Sequence, residues 1–394
     1  GVGLMGLACT DEVEGVQGPQ KGAWYATDLH LHTSVGSNDT DGESGVSEYI
    51  AVAKQRGIDL LVFTDHSNSA GSMDCETGDV EDCPNQGPEF PVLAAVAQEE
   101  SSGVYLAVGV EISPVESLDN TSIPTGHIGC LPKSGHDFSG SLQSVTDRPV
   151  GSVSGGSGVE WCHEQDGFAV LNHPYALAPW IAYDWTNAAY DAIEVFNGGA
   201  RFDQGDQDSV AAWMCDISLG RDVVAVGGSD THRASTETPP PSLLDQAVGF
   251  PTTWVWSVDD SRDSILAGLQ SGQTVVGDPT TALNVQASGS DGVVGPGQAI
   301  VAPARVQIDV MVKHENLKLE LLRLFADGCL VDDREQDGSV PVVETEVILS
   351  RTLEPSVRLL EEVFVDEAMV LVARVWPIGE LPGAADGVAI ASPL

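Results

Sequence analysis

The strongest constraint on this chain is a recurrence. Short apolar runs, continuous enough to be buried strands, return along the first two thirds of the sequence. A side chain able to bind a metal stands beside the end of nearly every one. Residues 24–29 lead into Asp28-Leu29-His30-Leu31-His32, and residues 58–63 into Thr64-Asp65-His66. Residues 104–110 stop at Glu111, and His127 opens the run at 128–131. Residues 168–171 are followed by Asn172-His173-Pro174. Residues 192–196 carry Glu194 and are followed by Asn197, and residues 223–226 run into Ser229-Asp230-Thr231-His232. Helical stretches lie between them. Residues 45–56 place Val46, Tyr49, Ile50 and Ala53 on one face and stop at Gly57. Residues 91–98, 210–219 and 261–270 also read as helices. Strands alternating with helices predict an α/β fold, with roughly seven strands in a closed or nearly closed barrel. An open doubly wound sheet is the alternative, although no Gly-rich phosphate loop follows the first strand.

After Pro279 the period changes to two. Val306, Ile308, Val310 and Val312 alternate with polar residues, as do Leu317, Leu319 and Leu321, and residues 369–376 form another run. This predicts a small all-β, sandwich-like domain over residues 281–394, structural or docking in role. A chain of 394 residues accommodates both parts.

In a β/α barrel the C-terminal strand ends share one rim. The ionisable residues named above would meet there. In His30-Leu31-His32 and Asp230-Thr231-His232, positions i and i+2 of an extended strand face the same side and can reach one cation. His with Asp and Glu suits zinc, manganese or iron rather than calcium. Six of the 9 histidines stand beside predicted strand ends, whereas His136, His163 and His314 read as structural or surface residues. Glu194 and Asn197 read as supports of the ligands. Asp65 would either orient an imidazole or water or simply hydrogen-bond the backbone. Arg201 and Arg233, after the sixth and seventh strands, are candidate phosphate clamps, with surface arginine as the plain alternative.

The net charge is −42, from 17 Lys+Arg and 59 Asp+Glu. Such a field repels polyphosphate backbones, so a small molecule is expected as substrate and long nucleic acid is not. Residues 1–9 are small and apolar and end in Cys9, and residues 10–20 are polar and acidic. This resembles the end of a bacterial lipoprotein signal, with a lipid on Cys9 as membrane tether and an extracytoplasmic location; a ragged terminus is the alternative. In that setting Cys75 and Cys83 read as a local disulfide, while the pairing of Cys130, Cys162, Cys215 and Cys329 stays open, as does the oligomeric state.

Taken in order, Asp28-Leu-His30-Leu-His32, Thr64-Asp65-His66, Gly109-Val-Glu111, Asn172-His173-Pro174 and Ser229-Asp230-Thr231-His232 resemble the motifs of the PHP (polymerase and histidinol phosphatase) superfamily. The resemblance covers about residues 21–280. Ala192-Ile-Glu194-Val-Phe-Asn197, and Thr252-Thr-Trp-Val-Trp256 with the Ile265-Leu-Ala-Gly-Leu-Gln-Ser-Gly272 stretch, resemble the CehA/McbA-type metallohydrolase branch. The resemblance implies a distorted (β/α)7 barrel that holds two or three divalent metals and hydrolyses phosphoesters through a metal-bridging hydroxide, or carbamates in some members. It implies His30, His32, Glu111 and Asp230 around one ion. Glu111, His127 and His173 would hold a second, with Glu111 bridging. His66 and His232 would hold a third together with Asp41, for which Asp39 is the rival. A phosphoesterase acting on a small phosphorylated molecule is the leading expectation. A carbamate, ester or amide hydrolase using the same centre, or a non-catalytic surface-anchored binding protein, are the alternatives.

Overall fold

The structure is a computed structural model. It describes residues 22–37, 39–66, 91–99, 102–112, 127–138, 155–175, 189–198, 202–235, 246–329, 341–379 and 388–394. The predicted leader with Cys9, the Cys75–Cys83 pair and Arg201 lie outside the described residues.

Two sheets carry the site. In the first, β1 (Ala23–Leu31) runs parallel to β2 (Leu60–Phe63), which runs parallel to β3 (Tyr105–Val108). In the second, β4 (Val110–Ile112), β5 (His127–Pro132), β6 (Gly167–Asn172), β7 (Ala192–Asn197) and β8 (Val224–Gly228) follow in that order. There β6, β7 and β8 pair in parallel, while β5 pairs antiparallel with both β4 and β6. Gly109 divides β3 from β4. A Cβ at that position would stand 2.6 Å from the Cys130 carbonyl oxygen, so only glycine allows the close approach.

The described residues form a mixed α/β fold without a closed parallel barrel, because β5 runs against both of its neighbours. Among the described residues no continuous ladder joins the two sheets; isolated bridges join them at one end. Leu31 pairs with Thr231, and His66 with Glu111. Backbone bonds from His32 N to Thr231 O (3.0 Å), Asp230 N to His30 O (2.9 Å) and Glu111 N to Asp65 O (3.1 Å) reinforce them. These bridges fall where the candidate ligands cluster, so the same few residues join the sheets and build the site.

Five helices are described: α1 (Val46–Arg56), α2 (Pro91–Ala97), α3 (Gly155–Glu164), α4 (Gln204–Ser218) and α5 (Arg262–Gln270). In α1 the predicted face, Val46, Tyr49, Ile50 and Ala53, is the buried one. Gly57 ends the helix with φ at 74°, a conformation that disfavours other residues. Burial of each large aliphatic side chain of this kind stabilises by roughly 1.5–3 kcal/mol. None of the described helices is long and apolar enough to cross a membrane.

The first sheet continues antiparallel from β1 through β9 (Thr252–Ser257) and β10 (Thr274–Gly277) to β18 (Ala389–Ala391). Beyond that come β17 (Val370–Pro377), β14 (Leu317–Cys329) and β15 (Val343–Thr352). A separate antiparallel sheet contains β12 (Gly292–Val294), β11 (Ala282–Gly289), β13 (Ala304–Met311) and β16 (Leu359–Val365). Its inward residues Val306, Ile308 and Val310 share one apolar core with Leu319, Leu321 and Val375. The period-2 residues read from the sequence are the buried ones. Two disulfides, Cys130–Cys162 and Cys215–Cys329, tie β5 to α3 and α4 to β14.

Candidate metal centre

The end of β1 carries His30, and His32 follows directly after it, so the two rings reach the same side as their spacing requires. Both are buried, and their Nε2 atoms lie 3.1 Å apart. Glu111, the middle residue of β4, stands at the centre of the cluster. Its Oε1 lies 3.1 Å from His30 Nε2, 3.0 Å from His127 Nδ1 and 3.3 Å from His173 Nε2. Its Oε2 lies 2.8 Å from His66 Nδ1 and 3.5 Å from His32 Nε2. Asp230 Oδ1 closes the first group at 3.1 Å from His32 and 3.2 Å from His30. Asp39 Oδ2 lies 3.1 Å from both His66 Nε2 and His232 Nε2.

Two of these residues hold unusual backbone. His173 has φ of 30° and Asp230 of 51°, values that cost about 1–3 kcal/mol in a non-glycine residue. Both follow a strand end, where this turn of the chain brings the side chain back into the cluster. Missing side chains make room as well. Gly129 leaves space for the amide of Asn172, which donates to Glu111 Oε1 at 2.9 Å, and Gly228 packs against His30 and Glu194.

The outer contacts fix which ring nitrogens face inward. Glu194 Oε1 lies 3.1 Å from His30 Nδ1, leaving Nε2 for the centre. Glu194 Oε2 accepts the His173 backbone N–H (2.9 Å) and the Asn197 amide (2.8 Å). The Asp230 carbonyl lies 3.0 Å from His232 Nδ1. Ser37 Oγ lies 3.3 Å from His32 Nδ1. Buried Asp28 accepts N–H groups from Ser229 and Gly249, locking the end of β1 to the loops beside it.

Electrostatics favours ionised carboxylates and a neutral His32. Burial alone would raise Glu111, but His127 and His30 hold it well below the usual range. Burial works against Asp39 and Asp230 too, and the imidazoles around them outweigh it: His66 and His232 at Asp39, His30, His32 and His173 at Asp230. Burial, with His232 and His66 adding to it, pulls His32 down to about 3. Burial also lowers His66, yet Asp39 and Glu111 carry it up to about 10. The ionised carboxylates and the neutral His32 are in the forms that ligate metals, whereas His66 must release a proton to do so.

The donor set fits divalent transition metals. Four three-residue groups each bring their donor atoms within 4.8 Å of one another: His30, His32 and Glu111; His66, Glu111 and His127; His30, His173 and Asp230; His32, His66 and His232. Asp39 Oδ1 is buried and accepts no aligned hydrogen bond among the described residues. A buried acceptor without a donor is costly, and a cation would satisfy it.

The structure brings together His30, His32, His66, Glu111, His127, His173, Asp230 and His232, with Glu194 and Asn197 behind them. Asp41 makes its contacts elsewhere. That carboxylate builds the turn before α1, accepting from Glu43 N (2.9 Å), Ser44 N (2.8 Å) and Ser44 Oγ (2.8 Å). Asp39 occupies the place expected of it, because a tight turn from Thr33 to Ser37 brings the chain back to the cluster two residues earlier. Asp65 does not face the cluster. It accepts from Thr33 N, Thr33 Oγ1 and Ser37 Oγ, and burial pushes it up to about 6 against these bonds. The Arg233 side chain is 53% exposed and lies 3.5 Å from Asp41. Sequence reasoning missed Ser37, Asn172 and Tyr49, whose hydroxyl donates to the His32 and Thr231 carbonyls. Only Asn172, beside His173, carried a sequence signal.

No family model and no curated protein matches the chain. Among solved structures, it is similar to a two-domain protein from Bacteroides vulgatus described as containing a PHP-like metal-dependent phosphoesterase. That match has 16% identity, covers 96% of this chain and 98% of that one, and has a TM-score of 0.46. It is also similar to a lesion-specific endonuclease from Pyrococcus furiosus, with 17% identity, 66% and 62% coverage and a TM-score of 0.41. A third similar structure is an amidohydrolase from Chromobacterium violaceum, with 16% identity, 56% and 93% coverage and a TM-score of 0.33.

Proposed function

We propose that this chain is a metal-dependent phosphoesterase acting on a small phosphorylated molecule. The observation that carries the reading is Glu111, a buried carboxylate whose two oxygens reach five imidazoles. A carboxylate so placed can be shared between His30, His32 and Asp230 on one side and His127 and His173 on the other, with Asp39, His66 and His232 as a third group. Bound divalent ions, zinc, manganese or iron, would supply Lewis acidity and a hydroxide at neutral pH. The chain's own contribution is positional. Glu194 and the Asp230 carbonyl turn His30 and His232 so that Nε2 faces inward, and Asn197 steadies Glu194. Arg233, next to His232 in sequence and 3.5 Å from Asp41, is the candidate phosphate contact in this reading.

In this reading the two bridged sheets form a distorted (β/α)7-type barrel over residues 21–280, as in the CehA/McbA-type branch. Residues 281–394 are then an accessory β-sandwich. The Cys130–Cys162 and Cys215–Cys329 bridges support an extracytoplasmic location, since disulfides persist in oxidising compartments; a lipid on Cys9 is the tether this reading proposes. The net charge of −42 favours a small substrate over a long nucleic acid.

The same donor set would serve carbamate, ester or amide hydrolysis, and the experiment separates the two. Metal-loaded protein is assayed against a phosphomonoester and phosphodiester panel and a carbamate, ester and amide panel, with His30→Ala as blank. Turnover confined to phosphoesters supports the proposal. Turnover confined to the second panel overturns it, and turnover of neither favours a binding protein.

A further inference from the structure

We propose that Ser37 fixes the tautomer of His32 and so readies that ring to ligate. This deepens the metal-centre reading and rests on it.

A serine hydroxyl has one hydrogen to give and two lone pairs to receive. Three partners surround Ser37 Oγ. Asp65 Oδ1 lies 2.8 Å away and can only accept while ionised. His66 N lies 3.2 Å away and can only donate. His32 Nδ1, at 3.3 Å, is the one partner whose role is not fixed by its own chemistry. The hydroxyl hydrogen goes to Asp65. The lone pairs then take the His66 N–H and a hydrogen on His32 Nδ1. With the proton on Nδ1, the lone pair of His32 sits on Nε2. That atom lies 3.1 Å from Asp230 Oδ1 and 3.5 Å from Glu111 Oε2.

The surroundings of Ser37 are built to hold it. Thr33 N and Thr33 Oγ1 occupy the rest of the Asp65 carboxylate, at 2.5 and 2.7 Å. Gly36 packs directly on that carboxylate, where any Cβ would collide. His32 is fully buried, so water cannot replace the hydroxyl. Without Oγ, the ring would lose its Nδ1 acceptor. It would then gain by carrying its proton on Nε2 and donating to Asp230, which blocks the ligand position. His30 has the Glu194 carboxylate for the same purpose and His232 the Asp230 carbonyl. His32 relies on a neutral hydroxyl anchored by Asp65, so Ser37 is a positioning residue.

The test uses the full chain, labelled with 15N-histidine and reconstituted with zinc, as wild type, Ser37→Ala, Ser37→Cys and Thr33→Val. Thr33→Val breaks a loop bond to Asp65 without touching His32. The wild type should show a protected Nδ1–H on His32. Ser37→Ala should lose that resonance and bind zinc about 10–100-fold more weakly, the usual effect of removing a partner behind a ligand. Ser37→Cys, close in shape but a weak acceptor, should fall between, and it carries the test if Ser37→Ala does not fold. Thr33→Val should keep both signals. If Ser37→Ala and Ser37→Cys match a zinc-binding wild type, the Ser37 proposal fails and the metal centre stands. If Thr33→Val loses as much as Ser37→Ala, Ser37 acts only by holding the loop. A wild type that binds no zinc contradicts the metal-centre reading itself.

Discussion

Glu194 Oε1 lies 3.1 Å from Nδ1 of His30, on the far side of the ring from the nitrogen that faces Glu111. The same carboxylate accepts the backbone N–H of His173, whose φ is 30°. One residue of β7 therefore orients two candidate ligands from other strands. Glu194→Ala should keep the fold and weaken metal binding by about 10–100-fold. Competition with a chromophoric chelator reads this directly, and unchanged affinity contradicts the role.

The acidic residues after His32 separate by geometry. Asp39 meets His66 and His232, whereas Asp41 caps a turn. Asp39→Ala should reduce the tightly bound metal by one equivalent per chain, measured by elemental analysis after gel filtration. Asp41→Ala should keep the metal and lose about 0.5–2 kcal/mol of stability, as loss of a capping carboxylate does. The opposite pattern restores Asp41 as the ligand.

Asp206 gives a pH signature away from the ligands. Burial, and then Asp203, raise its carboxyl well above the ordinary aspartate value of 3.8. A raised acid binds its proton more tightly in the folded state. Its contribution to stability is therefore full below 3.8 and is lost as pH rises through the folded pKa. Asp206→Asn removes that dependence. The Tm of the variant minus that of the wild type should climb as pH rises above the ordinary aspartate range. A difference that stays flat contradicts the assignment.

The disulfides close loops of different length. Cys130–Cys162 spans 32 residues and Cys215–Cys329 spans 114. On the chain-entropy account their removal costs about 4 and about 5 kcal/mol respectively. Paired Cys→Ala variants in denaturant melts should both be destabilised, Cys215→Ala/Cys329→Ala the more.

Much of the site is legible in the sequence because its signals are local. An apolar run marks a buried strand, and His30-Leu31-His32 places two rings on one side of it. The face of α1 and the alternation from Val306 to Val312 are equally local. What the sequence hides is set by distant contacts. An apolar run has no direction, so nothing in residues 128–131 says that β5 runs antiparallel. The choice of Asp39 over Asp41 depends on the turn from Thr33 to Ser37, which depends in turn on Asp65, and residue spacing does not encode it. Cys130 pairs with Cys162 because α3 packs beside β5. The continuation of the first sheet through β10 into β18 joins strands more than a hundred residues apart.

The central claim is that these residues form a hydrolytic metal centre. The most direct measurement follows the metal content and phosphoester turnover of one preparation through chelation and reconstitution. At least two tightly bound transition metals per chain are expected. Turnover is expected to vanish on chelation and to return with zinc, manganese or iron, and His30→Ala to show neither property. Fewer than one bound metal per chain, or turnover indifferent to chelation, would contradict it.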